Sequence, residues 1–156
     1  MLPDTEEQLT EGGRALPYQN DPQFPEVIQE DGCYFMSICF HLNRVFGVPV
    51  FDYQPLIDLF DAEQHADDIL DDATIKNPQQ LCDDVIPKRV KFLGVYAITY
   101  EANPNQFEIQ CWHRDTTNFN HFVAALNGKV VYDPIRGGSL TVKEGQMISK
   151  RIYLIQ

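Results

Sequence analysis

The apolar period of this chain changes once, near residue 92, and that change limits the possible folds more than any other feature. Before it, hydrophobic residues recur at helical spacing. Phe35, Ile38, Leu42 and Val45, widened by Met36 and Phe40, predict a buried helix over 33–46, stopped by Gly47 with Pro49 just beyond. Further helices are expected over 53–62 and 64–72. Asn77-Pro78 reads as a cap plus first-turn proline, opening a helix that fades before Pro87. After residue 92 the pattern is strand-like, over 93–100, 106–113, 121–126, 129–133 and 151–156. Helices first and an antiparallel sheet afterwards make an α+β layout. Residues 1–15 read as a mobile polar lead and 16–32 as an extended, proline-marked entry. The remaining domain, 16–156, is long enough to bury a sizeable core.

Within this layout Cys33 falls where a loop is expected to become the first helix, after Asp31 and Gly32. A thiol titrates near ~8.5, and its thiolate is the nucleophile. The free N–H groups of a helix's first turn favour that thiolate. His121 and Asp133 lie far downstream on two adjacent predicted strands. An imidazole can take the thiol's proton, and a carboxylate on its other ring nitrogen fixes its tautomer and orientation. Cys33, His121 and Asp133 are therefore the candidate nucleophile, base and orienting group.

The hairpin between the last two carries a condition. Asn127-Gly128 is a strong two-residue turn signal, which would pair Leu126 with Lys129. That register places His121 and Asp133 on opposite faces of the sheet, because one residue of shift flips every side chain. A three-residue loop with Gly128 left-handed in a bulge makes them direct cross-strand neighbours. The functional reading requires the bulged loop.

Three segments taken together resemble the C39-like branch of the papain-like cysteine peptidases, over roughly residues 16–140. They are Leu16-Pro17-Tyr18-Gln19-Asn20-Asp21-Pro22, then Gly32-Cys33-Tyr34-Phe35-Met36-Ser37, then His121-Phe122-Val123 followed by Tyr132-Asp133-Pro134-Ile135-Arg136-Gly137-Gly138. The resemblance implies a papain-like α+β fold, with an N-terminal helical half carrying the nucleophile helix against a C-terminal antiparallel sheet. It implies the same three catalytic residues. It also implies an upstream glutamine that donates to the oxyanion; Gln19 matches best, and Gln29, nearer to Cys33, is the rival. Many relatives carry glycine directly after the cysteine, whereas this chain has Tyr34, which would narrow the cleft or mark a divergent substrate. The expected activity is thiol-dependent cleavage of a peptide or other amide bond, with no cofactor and no metal. Acyl transfer to an amine uses the same parts. A phage or bacterial cell-wall peptide amidase or endopeptidase is an alternative, as is an inactive binding or inhibitor protein on the same fold.

Other thiols and imidazoles read as structural. Cys39 and Cys82 occupy expected core positions on helices, and Cys111 with His113 shares a strand face without a second ligand pair. His41 lies eight residues past Cys33, about 12 Å along the helix, too far to be its base. His65 sits in an acidic helical stretch and reads as solvated.

Net charge is −11, concentrated in part over 58–72 and at Asp83-Asp84. Such a surface repels phosphate backbones and anionic lipids, so the expected partner is a peptide or protein substrate, neither nucleic acid nor membrane. The acidic runs themselves read as solvated helix faces. The first residues lack a basic region and an apolar run, and four cysteines show no framework spacing. No signal peptide and a cytoplasmic setting with reduced thiols are expected.

Overall fold

The computed structural model describes residues 16–47 and 52–156. The expectation of a mobile lead over 1–15 lies outside the described residues, as does Pro49. The α+β layout is observed. Among the described residues, five helices span Glu26–Asp31 (α1), Cys33–Phe46 (α2), Tyr53–His65 (α3), Pro78–Val85 (α4) and Leu140–Glu144 (α5). Five strands among the same residues span Val90–Tyr96 (β1), Gln106–Arg114 (β2), Phe119–Leu126 (β3), Lys129–Tyr132 (β4) and Gln146–Ile155 (β5). They form one antiparallel sheet in the order β1-β5-β2-β3-β4. No helix among the described residues is long and apolar enough to cross a membrane.

Helix α2 is the centre of the core. Phe35, Met36, Ile38, Cys39, Phe40 and Leu42 are all essentially inaccessible, which is what their helical spacing requires. The helix stops at Gly47, left-handed at φ 64°, whose N–H bonds to Asn43 O at 2.8 Å. Aromatic rings tie α2 to the sheet: Phe40 stacks on Tyr132 at 4.8 Å, and His41 on Phe107 at 4.3 Å. Asn77 caps α4 as expected, its side chain accepting from Gln80 N at 3.2 Å.

Several boundaries differ from the expected ones for physical reasons. Residues 26–31 are helical, not extended: Pro25 precedes the first turn, Glu26 favours it, and Ile28 is buried beneath it. The second half of the acidic run, beyond His65, is not a helix. Asp67 and Ala73 adopt positive φ, and Ile69 bridges Ile75, so 66–77 is a tight two-limbed loop. That segment offers no continuous apolar face for a helix to bury. Strand β1 starts and ends earlier than expected, β5 starts five residues earlier, and α5 was not expected. Its cap is Ser139, whose side chain accepts from Thr141 N.

Candidate functional site

Cys33 is the first residue of α2, but it follows α1 and one glycine and not a loop. The junction is tight. The Gly32 N–H bonds to Ile28 O at 2.9 Å, and a Cβ on Gly32 would lie 2.6 Å from that oxygen. Only glycine lets the two helices meet this closely. The thiol is 6% exposed, and the Phe122 N–H from β3 donates to its Sγ at 3.5 Å. The Ser37 hydroxyl donates to Cys33 O at 2.7 Å and so holds the first turn.

His121 and Asp133 come together by a route the sequence did not suggest. The turn is the two-residue form: Leu126 pairs with Lys129, and Asn127 and Gly128 both have positive φ. Gly128 is left-handed as expected, yet there is no bulge in the turn. The irregularity comes further along, where Ala125 pairs with Val130 but Ala124 pairs with Tyr132. Val131 is the extra residue. It restores the parity that the short turn alone would break. Continuing this ladder sets Asp133, just past β4, opposite Val123 and diagonal to His121, so the two are not direct cross-strand neighbours. Their side chains share a face and bond, with His121 Nε2 and Asp133 Oδ1 at 2.7 Å.

Both groups are buried, His121 at 2% and Asp133 at 4% exposure. The carboxylate is held from two further sides. Ile135 N donates to Oδ1 at 3.0 Å and Ser139 N to Oδ2 at 2.8 Å. With Nε2 engaged by Asp133, Nδ1 is the ring nitrogen left for Cys33. Burial alone would lower the imidazole's pKa. The charge of Cys33 and the hydrogen bonds to Asp133 and Cys33 outweigh it and push His121 up to about 10. An imidazole so flanked can exchange a proton with the thiol while the carboxylate stabilises its charged form.

The segment carrying Gln19 packs directly on the chain after Asp133. Gln19 N donates to Pro134 O at 2.8 Å, Arg136 N to Asn20 Oδ1 at 3.1 Å, and the Tyr132 hydroxyl to Pro17 O at 2.6 Å. The side chain of Gln19 is 1% exposed. Its Nε2 donates to Ile28 O at 3.4 Å and Gln29 O at 3.0 Å, leaving Oε1 buried and unpartnered. Its donors are thus engaged by α1. The rival Gln29 donates to Phe24 O at 2.7 Å. Both donors of the Gln19 amide are thus engaged, whereas one of the two of Gln29 is.

Beside Cys33 opens a cleft of about 410 Å³. Tyr34 lines it, stacked on Phe122 at 4.6 Å, with its hydroxyl 2.6 Å from that of Tyr153. Burial pushes Tyr34 up to about 12, so it stays a neutral phenol. Arg151 lies over the Phe122 ring, its guanidinium carbon 4.8 Å from the centroid. Asp31, residues 72–75, Phe119 and Asn120 complete the walls. Sequence reasoning missed Arg151 and the 72–75 loop, because only the folded β5 and the two-limbed loop bring them to the thiol. Ser139 and Ile135 were missed as well, acting through backbone N–H groups that leave no side-chain signature.

The other candidates are structural. Cys39 is fully buried and its thiol is held well above its usual range by desolvation; burial also raises Cys111 and pushes Cys82 up to about 12. His41 is buried, and its pKa falls well below the usual value. One of its ring nitrogens bonds Glu108 O at 2.9 Å. His113 meets Asn120 Oδ1 at 2.6 Å and Asp115 at 3.2 Å, not Cys111.

Fold and site thus define an α+β domain with a buried cysteine–histidine–aspartate arrangement beside an aromatic cleft. The chain belongs to the family described as "Protein of unknown function, DUF261", which matches it over residues 17–155. No curated protein and no solved structure matches it.

Proposed function

We propose that this protein is a thiol-dependent hydrolase of the papain-like type, C39-like branch, cleaving a peptide or other amide bond. The observation that carries this reading is His121, buried between the Asp133 carboxylate at 2.7 Å and the Cys33 thiol. The Cys33 thiolate attacks the carbonyl carbon, and the resulting oxyanion is met by the Cys33 N–H. Gln19 joins it only by giving up its bonds to α1. The C–N bond then breaks, and His121 passes its proton to the leaving amine. Water, deprotonated by His121, attacks the thioester and releases the acid and the thiol. Tyr34 and Phe122 offer a flat apolar wall to a short peptide or protein tail.

A non-catalytic binding protein on the same fold is the second reading. The engaged donors of Gln19 and the low exposure of Cys33 favour it. Iodoacetamide at neutral pH, mapped by mass spectrometry, should label Cys33 ahead of Cys39, Cys82 and Cys111, whose thiolates are disfavoured by burial. Wild type and Cys33→Ala are then compared on peptide libraries and on peptidoglycan. Cys33-dependent turnover of peptides supports the proposal; release of amino groups from peptidoglycan alone supports a lytic role. An unreactive Cys33 without turnover on either overturns catalysis.

A further inference from the structure

The acidic stretch that reads as solvated in the sequence is not all solvated. Glu63 on α3, Asp68 in the loop after it and Asp84 on α4 direct their carboxylates to one point. One oxygen from each lies within 4.8 Å of the others. Glu63 is 2% and Asp68 7% exposed, while Asp84 faces solvent. The Glu63 carboxylate, aimed into this group, keeps Oε1 buried without any hydrogen-bond partner. Among the described residues no lysine, arginine or histidine forms an ion pair with any of the three.

The backbone holds this arrangement in place. Asp68 N and Ile69 N donate to Glu63 O at 2.9 and 3.2 Å, and Asp68 O accepts from Lys76 N and Asn77 N at 2.8 and 3.2 Å. Asp84 is steadied by the Gln80 amide at 2.7 Å. A buried acceptor left without a donor is unfavourable, and two neighbouring carboxylates make it more so. Desolvation, with Asp84 and Asp68 alongside, pushes Glu63 up to about 8.

We propose that Glu63, Asp68 and Asp84 form a site for a hard divalent cation, Ca²⁺ or Mg²⁺ in type, at the root of the 66–77 loop. Oxygen-only donors select such ions over zinc or copper, and the exposed side at Asp84 is the entry and leaves room for water ligands. A cation here ties α3, α4 and the loop together. Asp72, Ala73, Thr74 and Ile75 of the same loop line the cleft beside Cys33. Binding therefore stiffens one wall of that cleft, and it does so whether or not Cys33 is a nucleophile.

Chelator-treated full-length protein is titrated with CaCl₂ and, separately, MgCl₂. Calorimetry, thermal unfolding and hydrogen exchange over 66–77 are the readouts. One saturable site, a rise in Tm and slower exchange in the loop are expected with at least one of the two ions. Asp84→Asn, at an exposed position that does not endanger folding, should weaken binding by about tenfold or more. Asp61→Asn, exposed on α3 outside the trio, should leave it unchanged. No saturable binding, or equal binding in Asp84→Asn and wild type, overturns the site and assigns any cation effect to the general acidic surface. Stability that rises as pH falls through Glu63's range, with no response to either ion, assigns a shared proton to the trio instead.

Discussion

Replacing Asp133 offers the most direct measure of how the site is built. Its carboxylate satisfies three donors: His121 Nε2, Ile135 N and Ser139 N. Asp133→Ala leaves all three without an acceptor at a position only 4% exposed. Leaving a buried donor unsatisfied costs about 1–3 kcal/mol. The Ile135 N–H is only part-buried, so water can replace its partner. The two remaining donors give an expected loss of about 2–6 kcal/mol, a large share of the ~5–15 kcal/mol that holds a domain folded. Asp133→Asn is milder. Its Oδ1 still accepts from His121 and Ile135, while its Nδ2 meets the Ser139 N–H and loses that bond, about 1–3 kcal/mol. Urea unfolding followed through Trp112 suits the comparison, since it is the sole tryptophan and pairs with His121 across β2 and β3. The expected order is wild type, then asparagine, then alanine. Equal midpoints for the two variants, or an alanine variant within about 1 kcal/mol of wild type, would refute the claim that the carboxylate organises the 133–139 segment.

His121, raised from 6.5 to about 10, should contribute stability that is fully present below about 6.5 and lost as pH rises through about 10. The charge of Cys33 is the foremost cause raising it. An NMR titration of the ring should therefore give a midpoint near 10 in wild type and a lower one in Cys33→Ser; equal midpoints would show the two groups uncoupled. Gly32→Ala sets two effects against each other. Alanine favours a helix by up to ~1 kcal/mol, but its Cβ would lie 2.6 Å from Ile28 O, and overpacking costs ~1–3 kcal/mol. Net destabilisation in thermal unfolding is expected, and a stabilised variant would mean α1 and α2 separate easily.

Much of the scaffold was legible because it rests on local chemistry. The apolar spacing of Phe35, Ile38 and Leu42, the glycine stop at Gly47 and the Asn77-Pro78 start all act within a few residues, and each appears where its pattern places it. What was not legible depends on contacts far apart in sequence. A run containing Asp67, Asp68, Asp71 and Asp72 suits a solvated helix equally well until Ile69 finds Ile75 and the chain turns back. The prolines of 17–25 suggested extension throughout, although Pro25 is also a helix start signal. At the site, the residues and their order were readable. Their geometry was not, because nothing in Val130-Val131-Tyr132 marks a bulge.

That one unpaired valine makes the site depend on counting. The distance along the chain from His121 to Asp133 matters less than whether the number of ladder residues between them is odd or even. A change of two residues at the hairpin tip lengthens the turn yet returns both side chains to the same side. A change of one sends the carboxylate to the opposite face and leaves the imidazole facing the thiol alone. Loop variation in this hairpin is thus filtered by parity before it is filtered by length, and Val131 is where the chain keeps that count.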